Sequence, residues 1–214
     1  MIETFLTRPF YCQILFLKSG GNRTFCAGAS FNELIAIEDA ETGKQFFSGF
    51  ANVINAMRKC PKLIIGRVQG KTVGGGVGLA AATDYCLATQ YASIKLSELS
   101  IGIGPFVIEP AVSRKIGKTA MSQMTINAEQ FYSAEFAKEK GLFCEIFETT
   151  EALDEAVSSL TEQLASYNPE ALKEIKKVFW ENTGHWDTLL SDRAEISGNL
   201  VLSKFTKETL KRFR

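Results

Sequence analysis

The stretch "GKTVGGGVGLAAATD", residues 70–84, decides the fold. It carries three consecutive glycines, Gly74, Gly75 and Gly76, then a fourth at Gly78, inside an apolar run. Glycine in a helix interior is about 1 kcal/mol worse than alanine, so bare backbone here must serve a purpose. The segment before it, "KLIIGRVQG", is a short apolar run closed by glycine and predicts a buried strand. The residues after the triplet predict an apolar helix. A strand, a glycine turn and a helix start leave backbone N–H groups unpaired at one point.

Three purposes compete for that turn. A phosphate loop needs four residues between its first glycine and the Gly-Lys pair, but only three separate Gly66 from Gly70. The dinucleotide pattern GxGxxG fails too: counted from Gly74 it ends on Leu79, and from Gly102 on Val107. Close packing of a helix on a sheet is the second purpose. The third is an anion-stabilising site, with a second N–H from the glycine-containing loop "FCAGAS".

Outward from this unit, "YCQILFLKSGG" predicts a strand and "NRTFCAGASFNEL" a loop. Phe46, Phe50, Val53, Ile54 and Met57 recur at helical spacing from about Thr42 to Lys59, where Pro61 ends the pattern. "YCLATQ" and "ASIKLS" predict two more strands, and "SELSIGIGPFVIEP" a punctuated loop. "PAVSRKIG" predicts a helix from Pro110 to Gly117, and "SAEFAKEKGL" one capped by Ser133 and closed by Gly141. Three helices then follow: about 151–166, Pro169 to Glu181, and Trp186 to the end. The expected class is an α/β core over residues 1–141 with a mainly helical region over 142–214.

The totals exclude several functions. Among 214 residues, Lys plus Arg is 24 and Asp plus Glu is 24. That balance supports neither a nucleic-acid nor a membrane-surface role. Cys12, Cys26, Cys60, Cys86 and Cys144 lack CxxC spacing, and His185 is the single histidine, so no metal site is expected. Scattered cysteines and the lack of a signal-like N-terminus point to the cytoplasm. His185, in "ENTGHWD", reads as a turn residue, which leaves acid–base chemistry to carboxylates.

"RTFCAGASFNEL", "PKLIIGRVQGKTVGGGVGLAAATDYCLAT" and "ASIKLSELSIGIGP", in this order and spacing, resemble the enoyl-CoA hydratase/isomerase (crotonase) family. "SAEFAKEKGLF" and the C-terminal helices continue the resemblance, which covers about Ile14 to the C-terminus. It implies a spiral of βαβ turns with a helical trimerisation region, forming a homotrimer or hexamer. It implies an acyl-CoA thioester as substrate, with coenzyme A part of that substrate and no separate cofactor. The N–H groups of Ala29 and Gly75 would hold the thioester oxygen as it becomes enolate-like. Ala27, Ser30, Phe31, Gly74, Ile101 and Phe106 would contact substrate.

Hydratases of the family carry two glutamates. Glu98 matches one, and Gly78 stands where the other would be. A single base that takes a proton from Cα and returns it at Cγ suffices for double-bond isomerisation. Ile101, Ile103 and Phe106 would give Glu98 an apolar, pKa-raising surround. Glu109 is a possible second acid, or a carboxylate at a helix N-terminus. The alternatives to isomerisation are hydration through Glu109, decarboxylation of a malonyl-type thioester, or an inactive acyl-CoA-binding paralogue. Ser30 replaces the usual aspartate and Asn32 a lysine of some members. Members also begin with a further strand-rich segment that "MIETFLTRPFYCQ" does not resemble, so a shortened first turn is expected.

Overall fold

The computed structural model describes residues 2–3 and 14–213 of the chain. Cys12 and the start of the first predicted strand lie outside the described residues.

The chain winds as a spiral of strand, strand and helix. One sheet holds β2 (Ile14–Leu17), β4 (Leu63–Val68), β6 (Tyr85–Thr89) and β9 (Glu145–Phe147), all parallel. β1 (Ile2–Glu3) pairs antiparallel at its edge. A smaller sheet holds β3 (Thr24–Cys26), β5 (Lys71–Val73) and β7 (Ser93–Lys95) in parallel, with β8 (Tyr132–Ser133) antiparallel to β7. Each turn lays a strand in the large sheet, then one in the small sheet, then helix. The first turn ends in α1 (Phe31–Ala36) and α2 (Ala40–Lys59), the second in α3 (Gly75–Ala81), the third in α4 (Glu109–Ile126).

The unbroken apolar run of β4 follows from burial on both faces. Leu63 and Ile65 join Ile14 and Phe16 in a cluster covered by Val157, Leu160, Leu164 and Leu172. These leucines and the valine come from α6 (Thr150–Ala165) and α7 (Pro169–Phe179). Ile64 and Val68 face the main core on the other side.

Asp84, between α3 and β6, ties the C-terminal helices to this sheet. Its Oδ2 accepts from Lys176 Nζ at 2.6 Å and from the Ile64 N–H at 2.8 Å. Its Oδ1 accepts from Trp180 Nε1 at 2.7 Å, and Lys176 and Asp84 side chains are both 2% exposed.

Several helix limits match the sequence signals. Ser133 caps α5 (Ala134–Glu139) by accepting from the Phe136 N–H, and Pro169 opens α7. His185 is exposed ahead of α8 (Trp186–Val201), and Trp186 is buried.

Other expectations are corrected. Residues 22–34 are not one loop, because β3 and α1 lie within them. Three strand residues give too short a run to show alternation. The helix from Pro110 does turn at Gly117, whose φ of +74° is left-handed, but it resumes as far as Ile126. The last predicted helix is two: α8 stops at Val201, and Ser203 caps α9 (Lys204–Leu210). On α2, Val53 is exposed, and the buried face is Gly43, Phe47, Ala51, Ile54 and Met57. α2 packs on α8 so closely that a Cβ on Gly43 would stand 2.8 Å from the Gly198 Cα. Glycine and alanine carry that contact and leave no mark in a hydrophobic pattern. Residues 145–147, past α5, add β9 to the large sheet.

Candidate active site

The glycine triplet sits where β5 hands over to α3. Gly74 precedes the helix with φ +54° and ψ −122°, a conformation that favours glycine. Its N–H donates to the Lys95 carbonyl at 2.8 Å, which anchors the turn to β7. The "CAGAS" loop lies against this turn: a Cβ on Gly28 would stand 3.1 Å from the Val73 carbonyl oxygen and 3.9 Å from the Gly75 nitrogen. Among the described residues, neither the Ala29 N–H nor the Gly75 N–H donates a hydrogen bond. The structure therefore brings two unpaired donors to one apolar cavity of about 100 Å³.

Glu98 opens a short 3-10 turn, Glu98–Ile101, directly after β7. A Cβ on Gly74 would stand 3.0 Å from Glu98 Oε1, so the carboxyl lies against the glycine turn. Its Oε2 is buried and has no hydrogen-bond partner among the described residues. Burial pushes the carboxyl up to about 7, close to the pH at which a general base works best. Ile101, Ile103 and Phe106 line the same cavity, as expected.

The turn that carries Glu98 is held from the C-terminal region. Thr206 Oγ1, on α9, donates to the Gly102 carbonyl at 3.1 Å, and Phe205 packs against Gly102. The Glu98 carbonyl accepts from the Ile103 N–H at 3.1 Å.

Ala27, Ala29, Phe31, Gly74 and Gly75 all line the cavity with Glu98. Ser30 and Glu109 do not line it. The Ser30 hydroxyl caps α1 by accepting from the Glu33 N–H. Glu109 accepts from the Ser113 hydroxyl at 2.6 Å and pairs with Arg193. Burial pushes the Glu109 carboxyl up, but Ser113 and Arg193 together outweigh it and hold it below the ordinary range.

Gly78 is filled from outside. A Cβ there would run into the Ile108 side chain, so a larger residue has no space. Ile108 also lines the cavity. Where hydratases of the resembled family place an acid, this chain has packed hydrocarbon.

Sequence reasoning missed Phe47, Ile108 and Ser197 as cavity residues, and it read Phe50 only as core. Helical spacing marks Phe50 as apolar but carries no sign of which helix face meets a site. Among the described residues, no group of His, Cys, Asp and Glu could hold a metal ion, and no helix is long and apolar enough to cross a membrane.

The family model for enoyl-CoA hydratase/isomerase matches residues 12–211. The chain is 27% identical over 177 residues to the peroxisomal Delta(3,5)-Delta(2,4)-dienoyl-CoA isomerase of Arabidopsis thaliana, which covers 76% of this chain and 62% of that protein. It is 34% identical over 121 residues to the bacillaene synthase dehydratase PksH of Bacillus subtilis, covering 55% and 46%. The chain thus spans about half to three-fifths of these curated relatives. Among solved structures, an enoyl-CoA hydratase from Bacillus halodurans superposes with a TM-score of 0.84 at 20% identity, covering 94% of this chain and 81% of that one. An enoyl-CoA hydratase from Shewanella pealeana gives a TM-score of 0.73 at 30% identity, covering 94% and 76%.

Proposed function

From a chain that belongs to the enoyl-CoA hydratase/isomerase family, we propose an enzyme that moves a double bond in an acyl-CoA thioester, with Glu98 as its one proton carrier. The observation that supports it most is the pairing of Glu98 with Gly78. One carboxyl, beside the glycine turn, has a buried oxygen with no partner among the described residues, and the position of a second is packed by Ile108.

The thioester carbonyl would sit between the Ala29 and Gly75 N–H groups. Ionised Glu98 takes a proton from Cα of a β,γ-enoyl thioester. Negative charge moves onto the thioester oxygen, where the two N–H groups stabilise it; one such donor is typically worth ~3–4 kcal/mol in the transition state. Protonated Glu98 then returns the proton at Cγ, leaving the double bond at α,β. No water is consumed, so no second carboxylate is needed. The cavity's mainly apolar lining keeps Glu98 poised near neutrality.

Hydration through Glu109 is the weaker reading, because that carboxylate is committed to Ser113 and Arg193. The test offers purified protein a 3-enoyl-CoA and a 2-enoyl-CoA, with Glu98→Gln as control. Isomerisation that Glu98→Gln abolishes is the expected result. Hydration of the 2-enoyl-CoA in its place, or turnover that survives the substitution, would reject this assignment. Thioester binding without any turnover would instead favour an acyl-CoA-binding paralogue.

We also propose a homotrimeric or hexameric assembly. Ile175, Val178 and Phe179 are 40–52% exposed on α7, an apolar face that a second copy would cover. Light scattering at two concentrations tests it. A cytoplasmic location is proposed from the scattered cysteines, of which Cys26, Cys60, Cys86 and Cys144 are unpaired.

A further inference from the structure

The shape of the cavity says something about the acyl group. This inference rests on the acyl-CoA reading above. Two rings from one face of α2 reach the site, Phe47 and Phe50, one helical turn apart. The Phe50 ring stands directly over Gly75: a Cβ added to that glycine would overlap three ring carbons. An acyl chain whose carbonyl sits at the Gly75 N–H therefore meets the Phe50 ring within its first few carbons.

The wall is not one that yields easily. α2 is locked by Ile54, which is fully buried, and by the Gly43–Gly198 contact with α8, where the backbones already touch. Phe106 and Ile108, from the segment after Glu98, line the same cavity, and Ile108 is itself wedged into Gly78. The cavity is partly open, and the space within it is about 100 Å³. That is the share of roughly three water molecules, and less than the ~150 Å³ of an apolar cavity known to hold benzene. It is well below the ~300 Å³ at which sites for larger ligands begin.

We infer that Phe50 sets the acyl length, so that the site takes a short thioester of about four carbons and excludes longer unbranched chains. The ring does so by standing where the fifth and later carbons would go.

The experiment measures equilibrium binding of butanoyl-CoA and octanoyl-CoA, which are saturated and undergo no double-bond shift. Full-length wild type, Phe50→Ala and Phe50→Leu are compared, with circular dichroism and thermal melting of each. Wild type is expected to bind octanoyl-CoA no tighter than butanoyl-CoA. Phe50→Ala is expected to bind octanoyl-CoA at least about tenfold tighter than butanoyl-CoA, since each newly buried methylene is worth roughly fourfold. Phe50→Leu should fall between them, and it carries the comparison if Phe50→Ala does not fold.

A wild type that already prefers octanoyl-CoA tenfold would overturn the inference. So would variants that fold, bind butanoyl-CoA, and leave the ratio unchanged; the acyl-CoA reading would then stand alone. If wild type binds neither thioester, the acyl-CoA reading fails and this inference fails with it.

Discussion

Two buried carboxyls, Asp84 and Glu98, lie on the same stretch of chain and live under opposite conditions. Asp84 is surrounded by donors: Lys176, Trp180 and the Ile64 N–H. Glu98 has hydrocarbon and glycine around it, and its Oε2 has no partner among the described residues. A satisfied charge holds helices to a sheet. An unsatisfied one is held ready to gain or lose a proton. Burial alone does not separate structural from chemical carboxyls, whereas the count of donors around each does.

The largest expected effect removes the reactive member. Glu98→Gln should lower turnover by ~10²–10⁴-fold, measured as isomerisation of a 3-enoyl-CoA, with the fold retained. In wild type, activity should rise with pH through a midpoint near 7, where Glu98 loses its proton. Stability should move the other way. The carboxyl titrates near 7 when folded and near the ordinary 4.5 when free, so the folded state binds more protons between those values. Stability is therefore full below about 4.5 and falls as pH rises towards 7, by up to roughly 3 kcal/mol. Glu98→Gln should flatten that decline, and melts at pH 5 and pH 8 would show whether it does.

Next in size is the satisfied pair. Lys176→Met leaves Asp84 without its ammonium and should destabilise the protein by ~3–5 kcal/mol, measured by urea unfolding. The pH midpoint of activity should stay near 7. A shifted midpoint would mean that the two carboxyls are coupled, and the contrast between them would fail.

A smaller effect belongs to the position where a second acid is missing. Gly78→Ala should cost ~1–3 kcal/mol, because its Cβ meets Ile108, and Ile108→Ala in the same chain should recover part of the loss. Equal stability of the single and double variants would show that Ile108 does not fill that space.

The smallest effect concerns Glu109. Its pair with Arg193 is about a quarter exposed on each side, so Glu109→Gln should cost ~1 kcal/mol or less in a thermal melt. Turnover should stay within about threefold of wild type. A loss comparable to that of Glu98→Gln would restore Glu109 as a second acid.

Much of this was legible in the chain. The buried strands at 63–68 and 85–89 follow from apolar runs closed by turn residues, and the cap at Ser133 and the helix start at Pro169 follow from local chemistry. The resemblance names Glu98, Ala29 and Gly75 through motif spacing, a local property, and the three line one cavity. The short strands β3, β5, β8 and β9 were missed because two or three residues show no period. The second half of α4 was missed because Gly117 does end a helix locally, and packing alone lets it restart. The true face of α2 escaped because Gly43 and Ala51 define it by their smallness.

The sequence by itself determined the βα unit, the unpaired N–H groups that a glycine turn exposes, and the absence of a side chain at Gly78. Those are properties of neighbours along the chain, set by backbone sterics and hydrogen-bond counting. Tertiary structure alone decided that Glu98 Oε2 has no partner among the described residues while Glu109 has two, that Ile108 fills the space beside Gly78, and that Phe50 stands over Gly75. Each depends on groups brought together from distant parts of the chain. A carboxyl's proton affinity and a cavity's length are set by whatever packing places within a few ångströms, and linear spacing does not encode that distance.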